Sequence, residues 1–412
     1  MSRVSTFAGQ LLRLALVALT VCTVGLVGAT PAFAHGEDKQ PPNLRTRAVH
    51  FYDVQFSNPD IKVGETFTMS GNMYLSQEWP NGVTNPDVTQ LTVVAPGPTV
   101  LVKDRKISGQ FISQSMRLEK GKSYPFEIMV EARRAGNWHL HPMLAVHGAG
   151  GLIGPGQEVH IAERPGGAPF TNDVTLATGE TVDLETYNSG ESVVWHLLYL
   201  IPALLFLVYW FAKPLMPRLI ALIGGRRTPD ELVTKRDVKV SVALGLVVLG
   251  ITAASMVYSS IKWPDTLPLQ VQNVATPAGN TVTGTVVAEL PEGRATYHNA
   301  TDTLGVTVRF HNLGATPVEL SYLEIGNHIF DTDPATNTGA TLASDQPLTL
   351  GPGEQRDLKL QLTSIAFHDN AVIPGAEVTS VIGSLAVFKQ GNAEAHTVSE
   401  LNLPVFKDQV AP

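Results

Sequence analysis

Two histidines separated by one residue are the groups in this 412-residue sequence whose spacing best suits metal binding. His139 and His141 occur in the segment NWHLHPM. Side chains alternate between the two faces of a strand, so both imidazoles of an H-x-H sequence lie on one face and can bind the same ion. Exposed strands also carry such pairs by chance. Taken alone, the pair therefore favours a structural role over a metal site.

A third histidine, His35, stands directly after a predicted signal-peptidase site. A basic start and a long apolar run end at the small-x-small triplet Ala32-Phe33-Ala34, which is the pattern of a secretory signal over residues 1–34. An uncleaved signal anchor ranks second, because the apolar run is short and polar sequence follows at once. A lipoprotein signal at Cys22 is disfavoured because Val21 stands where a small residue is needed.

Cleavage after residue 34 would give His35 two nitrogen donors, its imidazole and the α-amino group of the new chain end. With His139 and His141 the set has up to four nitrogens, and the amine is easily deprotonated because its ordinary pKa is about 7.7–8.0. An all-nitrogen set favours Cu(II), with zinc as the main competitor. A blue-copper centre is excluded, because it needs a thiolate and the only cysteine, Cys22, leaves with the signal peptide. Glu37 is either a group that approaches the metal or a solvated terminal acid.

The composition of the mature chain narrows the function classes. Removal of residues 1–34 leaves 412 − 34 = 378 residues and a charge of 27 − 37 = −10, because two arginines leave and no acid does. Such an acidic chain is disfavoured as a nucleic-acid binder, which needs a basic face. The loss of the only cysteine fits an oxidising compartment. The length allows two or three domains.

Two uncharged segments, 193–212 and 240–261, are long enough to span a bilayer as helices. Buried core helices are the alternative, disfavoured because neither segment has a polar face. The loop between them, 213–239, carries seven basic residues against three acidic ones. The positive-inside rule therefore places this loop in the cytoplasm and both long flanks outside the cytoplasm.

Both flanks predict β domains, and the fold class is mainly β. Short runs of alternating or β-branched residues are separated by turn sequences such as NP, NG and PGP, which is typical of β-sandwiches. The predicted organisation is a first β domain at 35–170 and a connecting segment at 171–192. Two transmembrane helices with their loop follow at 193–262, and a second β domain occupies 263–412.

Several segments resemble the B subunit of the copper membrane monooxygenases, the family of particulate methane monooxygenase and ammonia monooxygenase. The resemblance runs in order along nearly the whole mature chain, and it is carried by HGEDKQPPNLRTRAVHFYDVQFS, ARRAGNWHLHPM, GLIGPG, TVDLETYNSGE and the WH-containing first helix. It implies two cupredoxin-like β-sandwich domains joined by a two-helix transmembrane hairpin. It also implies a copper cofactor and a complex with two other, mostly membrane-embedded subunits. The family's copper ligands, the mature N-terminal histidine and an H-x-H pair, correspond to His35, His139 and His141.

One position departs from the family pattern. Some members have a further copper site that pairs a histidine in the first strand with one in the second-strand motif before an E-W-P turn. His50 fits the first position, but Tyr74 occupies the second. We therefore interpret His50 as a strand histidine and not as a ligand.

The sequence thus predicts a copper-binding subunit of a membrane monooxygenase that uses O₂ to oxidise a small substrate: methane, ammonia or a short hydrocarbon. The resemblance allows oxygen activation either in this subunit or in a partner subunit. A membrane-anchored copper-binding or copper-delivery protein without oxygenase activity is the main alternative. A secreted histidine-brace oxygenase that acts on polysaccharide is disfavoured by the paired helices and the scarcity of aromatic strips.

The predicted topology can be tested with protease added outside spheroplasts. The protease is expected to digest both β domains and to spare a tag placed near Arg226, because only the loop would be shielded by the membrane. Immunoblotting of the fragments measures this, and lysed spheroplasts, in which the tag must be digested, serve as the control. Protection of the second β domain in intact spheroplasts would show that one apolar segment does not span.

Overall fold

The computed structural model describes residues 40, 42–176, 178–226, 228–262, 270–274, 281–332, 340–368, 372–373, 379–390 and 396–408. These residues form two compact units. One unit contains both β domains, with residues up to 168 and from 271 onward. The other contains the long helices, within residues 169–270.

The first β domain begins with a short helix, α1 (Pro42–Arg47), and continues as strands. The strands are β1 (Val49–Phe56), β2 (Asp60–Lys62), β3 (Thr66–Leu75), β4 (Thr89–Val94), β5 (Val100–Ile107), β6 (Gln110–Phe111), β7 (Ser115–Arg117), β8 (Ser123–Ala132), β9 (Gly136–Val146), β10 (Gly150–Ile153) and β11 (Gln157–Ala162). One sheet has the order β1-β3-β8-β5-β6, and the other has the order β7-β4-β9-β11-β2 with β10 paired to β9.

These two sheets share one apolar core. Along β8 the buried and half-buried side chains alternate, as expected for a strand with one face on a core. Phe51 and Met73 of one sheet belong to the same buried cluster as Leu140 and Leu144 of the other. The first domain is therefore a β-sandwich. The strand that follows the long helices, β14 (Val271–Asn273), extends the second sheet beside β7.

The helical unit begins with the hairpin β12 (Asp173–Thr175) and β13 (Thr181–Asp183) and contains α2 (Ser189–Phe211), α3 (Leu215–Ile223), α4 (Pro229–Leu232) and α5 (Lys235–Lys262). Helices α2 and α5 are long and apolar enough to cross a membrane, and almost none of their residues is buried. Both begin about one turn earlier than the apolar segments. At the start of α5, the buried Asp237 accepts hydrogen bonds from Tyr209 and Thr234 and pairs with Lys213.

The second β domain contains β15 (Thr281–Thr283), β16 (Val286–Glu289), β17 (Ala295–His298), β18 (Thr303–Asn312), β19 (Val318–Ile325), β20 (His328–Asp331), β21 (Ala340–Ser344), β22 (Thr349–Leu350), β23 (Gln355–Ser364), a short helix α6 (Ile365–His368), β24 (Thr379–Gln390) and β25 (His396–Lys407). Strand β24 pairs with both β19 and β25. The sheet therefore closes on itself around a core that includes Phe310, Phe330 and Phe388. The prediction of a mainly β protein with two β domains and two long apolar helices is confirmed.

Strand β1 lies between the two domains, and its first half, residues 49–52, is buried on both faces. Phe51 faces the core of the first domain, whereas His50 and Tyr52 face the second domain. His50 Nδ1 donates a hydrogen bond to the carboxylate of Glu324 on β19, and both side chains are fully buried. Burial by itself lowers the pKa of His50, but the charge and the hydrogen bond of Glu324 outweigh it, so the pKa is raised. His50 is thus a domain-interface residue, which agrees with its interpretation as a strand histidine.

Further polar contacts cross the same interface. Tyr74, the cross-strand neighbour of His50, donates its hydroxyl to Glu400 on β25 at 3.0 Å. The β1–β3 register shifts near Asp53, whose backbone has φ 53°. This bulge directs the Asp53 carboxylate to Tyr322 at 2.6 Å and to His396 at 2.5 Å. Burial raises the pKa of Asp53, but these two partners outweigh it and the pKa is lowered.

The buried pair predicts a stability effect for His50→Ala. The change leaves the Glu324 carboxylate buried without its partner, and breaking a buried pair in this way costs about 3–5 kcal/mol. Unfolding of the full mature chain in detergent, followed by near-ultraviolet circular dichroism, measures this cost. Because the folded pKa of His50 is raised, its stabilisation is complete below pH ~6.5 and is lost as the pH rises through the folded pKa.

The matched control is His298→Ala. His298 also pairs with an acid, Asp408, but both side chains are about half exposed, so the cost should be about 0–1 kcal/mol. Equal losses for the two variants would contradict the role of His50 as a buried partner of Glu324.

Candidate metal centre

His139 and His141 lie on β9, in the interior of the second sheet of the first domain. Strand β9 is hydrogen-bonded to β4 and β11, and the intervening Leu140 is fully buried in the apolar core. The two histidines therefore project together from the opposite face. Their ring centroids are 4.6 Å apart with an interplanar angle of 68°. The structure brings this predicted pair together.

The Nδ1 atom of each ring donates a hydrogen bond to a protein oxygen. His141 Nδ1 lies 2.8 Å from the carbonyl oxygen of Gly154, and His139 Nδ1 lies 3.1 Å from Glu158 Oε1. A carbonyl or carboxylate oxygen can only accept, so the proton of each neutral ring is on Nδ1. The Nε2 atom of each ring then carries the lone pair that would bind a metal. Histidine ligands of metal sites are held in the same way.

Gly156 borders both rings. A Cβ atom at this position would lie 2.5 Å from His139 Nε2 and 2.4 Å from His141 Cε1. Any larger residue would occupy the volume that the imidazoles need. The glycine is therefore required here by the close approach of the two rings.

The segment that precedes α1 is anchored beside this pair. The side-chain amide of Gln40 donates to the carbonyl oxygen of Gly151, and its oxygen accepts from the N–H of Ile153 at 3.4 Å. Ile153 directly precedes Gly154, which holds His141. His35 lies outside the described residues. Four residues lie between it and Gln40, and the five residue-to-residue steps from His35 to Gln40 span at most about 17 Å in an extended chain.

The donor chemistry of the described residues fits copper. Within the described ranges, no cluster of three or more His, Cys, Asp or Glu side chains is arranged to hold a metal ion. His139 and His141 supply two imidazoles on one face, with both Nδ1 protons directed to protein oxygens. Imidazole nitrogens suit Cu(II) and zinc alike. The remaining donors of the predicted set would come from His35.

Comparisons with known proteins establish the family. Residues 36–406 match the family described as the monooxygenase B-subunit protein. The chain is 33% identical over 360 residues to the particulate methane monooxygenase alpha subunit of Methylococcus capsulatus (Bath), a match that covers 82% of this chain and 84% of that protein. The chain therefore belongs to the monooxygenase B-subunit family, as predicted. It is a subunit of a membrane monooxygenase.

Solved structures give weaker similarity. The cupredoxin domain of amoB from Nitrosocaldus yellowstonii matches at 15% identity and a TM-score of 0.25, covering 31% of this chain and 94% of that domain. The Escherichia coli chaperone DraB matches at 16% identity and a TM-score of 0.19, covering 32% of this chain and 60% of the chaperone. At these scores neither match contributes to the assignment.

Sequence reasoning found the histidines but missed the residues that hold them. Gly154, Gly156 and Glu158 were not singled out, although both glycines lie in the segment GLIGPG that carries part of the family resemblance. Three glycines in six residues are a signal for close backbone approach. Nothing in the sequence indicated a role for Gln40, because a single glutamine in a polar segment forms no recognisable pattern.

Gly156→Ala is expected to disturb the pair without unfolding the domain. The new methyl group would meet both rings at less than 3 Å, so the rings must move. We expect the Cu(II) affinity of the mature chain to fall at least about 10-fold, the equivalent of roughly 1.4 kcal/mol. Competition with a chelator of known affinity measures it.

The control is Gly305→Ala on β18, where a Cβ would meet only the carbonyl oxygen of Thr296, at 3.9 Å. This variant should bind copper like the unmodified chain. Unchanged copper affinity in Gly156→Ala would mean that the observed ring positions are not those that bind the metal.

Proposed function

We propose that this chain is the copper-binding subunit of a membrane monooxygenase that oxidises methane, ammonia or a short hydrocarbon with O₂. Its copper site would consist of His139, His141 and His35, the last binding through both its ring and its α-amino group. The observation that carries the proposal is the paired orientation of the two β9 imidazoles, each with Nδ1 on a protein oxygen. Family membership supports the oxygenase context.

The fold holds the rings of His139 and His141 in fixed orientations. His141 is 3% exposed and its ring is fixed by a backbone carbonyl, whereas the His139 side chain is 27% exposed and is oriented by Glu158. One ligand would thus be held by the fold and the other would face the solvent side. Copper bound at these residues would supply one-electron redox chemistry.

The proposed arrangement in the cell follows from charge and family. The basic loop 213–239 favours a cytoplasmic position, which would place both β domains outside the cytoplasm. The apolar, exposed surfaces of α2 and α5 would contact the bilayer and two other membrane-embedded subunits. Both β domains then lie on the side of the membrane where a signal peptidase acts, as a mature N-terminus at His35 requires.

The decisive variant adds one residue ahead of His35. The addition converts the α-amino group into an amide, which is a far poorer donor at neutral pH, while the imidazole remains. Copper affinity should therefore fall, and the nitrogen hyperfine pattern in electron paramagnetic resonance should change, while the protein stays folded. His139→Ala and His141→Ala should weaken the same site. A full structural zinc site supplies roughly 10–16 kcal/mol of binding free energy, and losing one of several ligands should remove a sizeable part of it.

His298→Ala is the control, because His298 pairs with the half-exposed Asp408 of the second β domain and, among the described residues, has no contact in the proposed site. Its copper content and spectrum should be unchanged once the variant is shown to be folded. Full copper and an unaltered spectrum in the extended chain would contradict the proposed ligands.

A further inference from the structure

The hairpin that joins β19 and β20 has a two-residue turn formed by Gly326 and Asn327. Ile325 pairs with His328, so only these two residues make the turn. Their φ angles are 56° and 70°. Positive φ at both central positions defines a turn that matches the twist of paired strands, and glycine and asparagine are the residues that tolerate it best.

The turn projects from the second domain onto the first domain beside the candidate metal centre. The side-chain amide of Asn327 donates to the carbonyl oxygen of Ile153 at 2.7 Å. The next residue is Gly154, whose carbonyl oxygen holds His141 Nδ1 at 2.8 Å. The second domain therefore holds the carbonyl oxygen of Ile153, and the carbonyl oxygen of the next residue, Gly154, orients the predicted ligand His141.

The same turn contacts the segment that leads to the N-terminus. A Cβ on Gly326 would lie 3.0 Å from Thr46 Cγ2 and 3.4 Å from Arg45 Nε, so the glycine backbone packs closely on α1. Arg45 and Thr46 are both buried. Gln40, just ahead of α1, is bound to the same strand, β10, that accepts from Asn327. The N-terminal segment and the second domain thus meet on β10.

The buried pair of His50 and Glu324 also fixes the position of the turn. Glu324 accepts a hydrogen bond from the backbone N–H of Asn327 at 2.6 Å, and its other carboxylate oxygen accepts from His50. The glutamate therefore connects β1 of the first domain to the turn of the second. These contacts give the turn one position relative to β10.

We propose that Asn327, on the second β domain, is a positioning residue for the copper site of the first domain: by holding the Ile153 carbonyl it fixes the Gly154 carbonyl and, through it, the His141 ring. The proposal rests on the proposed copper site. It assigns the second β domain a part in that site, although no ligand comes from it. It also explains why the two β domains form one compact unit with a polar, specific interface.

Asn327→Gly isolates this role. Glycine keeps the left-handed backbone and the N–H donated to Glu324, and it removes only the side-chain amide. The full mature chain in detergent is loaded with Cu(II) alone, and copper affinity and the electron paramagnetic resonance spectrum are measured. We expect an affinity loss of about 10-fold, the low end of what changes behind metal ligands cost, together with an altered nitrogen hyperfine pattern. In copper-free protein, the nuclear magnetic resonance signal of the His141 Nδ1 proton should shift or broaden.

The matched control is Asn299→Gly, which removes an exposed amide that also donates to a backbone carbonyl, that of Asp408 at 3.5 Å. It should leave the copper affinity, the spectrum and the His141 signal unchanged. Asn327→Asp is a second test, because it preserves the shape and tolerates the turn but cannot donate to Ile153. It should behave like Asn327→Gly.

The outcomes separate this inference from the proposed function. If the unmodified chain binds copper in a His139-dependent manner but both Asn327 variants keep its affinity, spectrum and His141 signal, the positioning role is wrong and the copper site stands. If the unmodified chain shows no His139-dependent copper binding, the proposed function fails and the inference fails with it.

Discussion

The hydrogen bond from the His141 ring to the carbonyl oxygen of Gly154 is the contact on which the candidate site depends. It fixes which ring nitrogen carries the proton and directs the other toward the position of a metal. A backbone carbonyl can hold a ring only as firmly as the chain around it is held. Here that chain is β10 and the turn that follows it. The turn packs against both imidazoles at Gly156, and β10 accepts hydrogen bonds from the side-chain amides of Gln40 and Asn327. The positions of backbone atoms thus determine the orientation of the histidine rings.

The interface between the β domains combines apolar packing with buried polar pairs. Tyr52, Tyr74 and Tyr322 pack with aliphatic side chains of β24 and β25 in a cluster separate from either domain core. Buried ion pairs such as His50–Glu324 are poor sources of net stability, because the loss of hydration offsets the attraction. Their geometric demands are strict, however, and a single arrangement satisfies them. We interpret this pair as a device that sets the register of the two domains, and therefore the position of the Gly326–Asn327 turn.

The sequence was sufficient for features that depend on local pattern. The two apolar helices, the β character of both flanks and the shared face of His139 and His141 follow from composition and period, and the family follows from ordered motifs. The pairing of His50 with Glu324 could not be predicted, because the partners are 274 residues apart and neither has a local signature. The same holds for Asn327, whose contact with Ile153 exists only after both domains have folded. The addition of β14 to the first domain likewise depends on where the helices return the chain.

The central claim is that the mature chain begins with a copper ligand and that the H-x-H pair completes the site. The most direct measurement is pulsed electron nuclear double resonance of the Cu(II)-loaded mature chain, labelled with histidine that carries ¹⁵N only in its imidazole ring. The account predicts directly coordinated ¹⁵N from the rings of His35, His139 and His141, together with a directly coordinated ¹⁴N from the unlabelled α-amino group of His35. A spectrum in which every coordinated nitrogen is ¹⁵N, or in which the ¹⁵N couplings persist unchanged in the His139→Ala and His141→Ala variants, would contradict it.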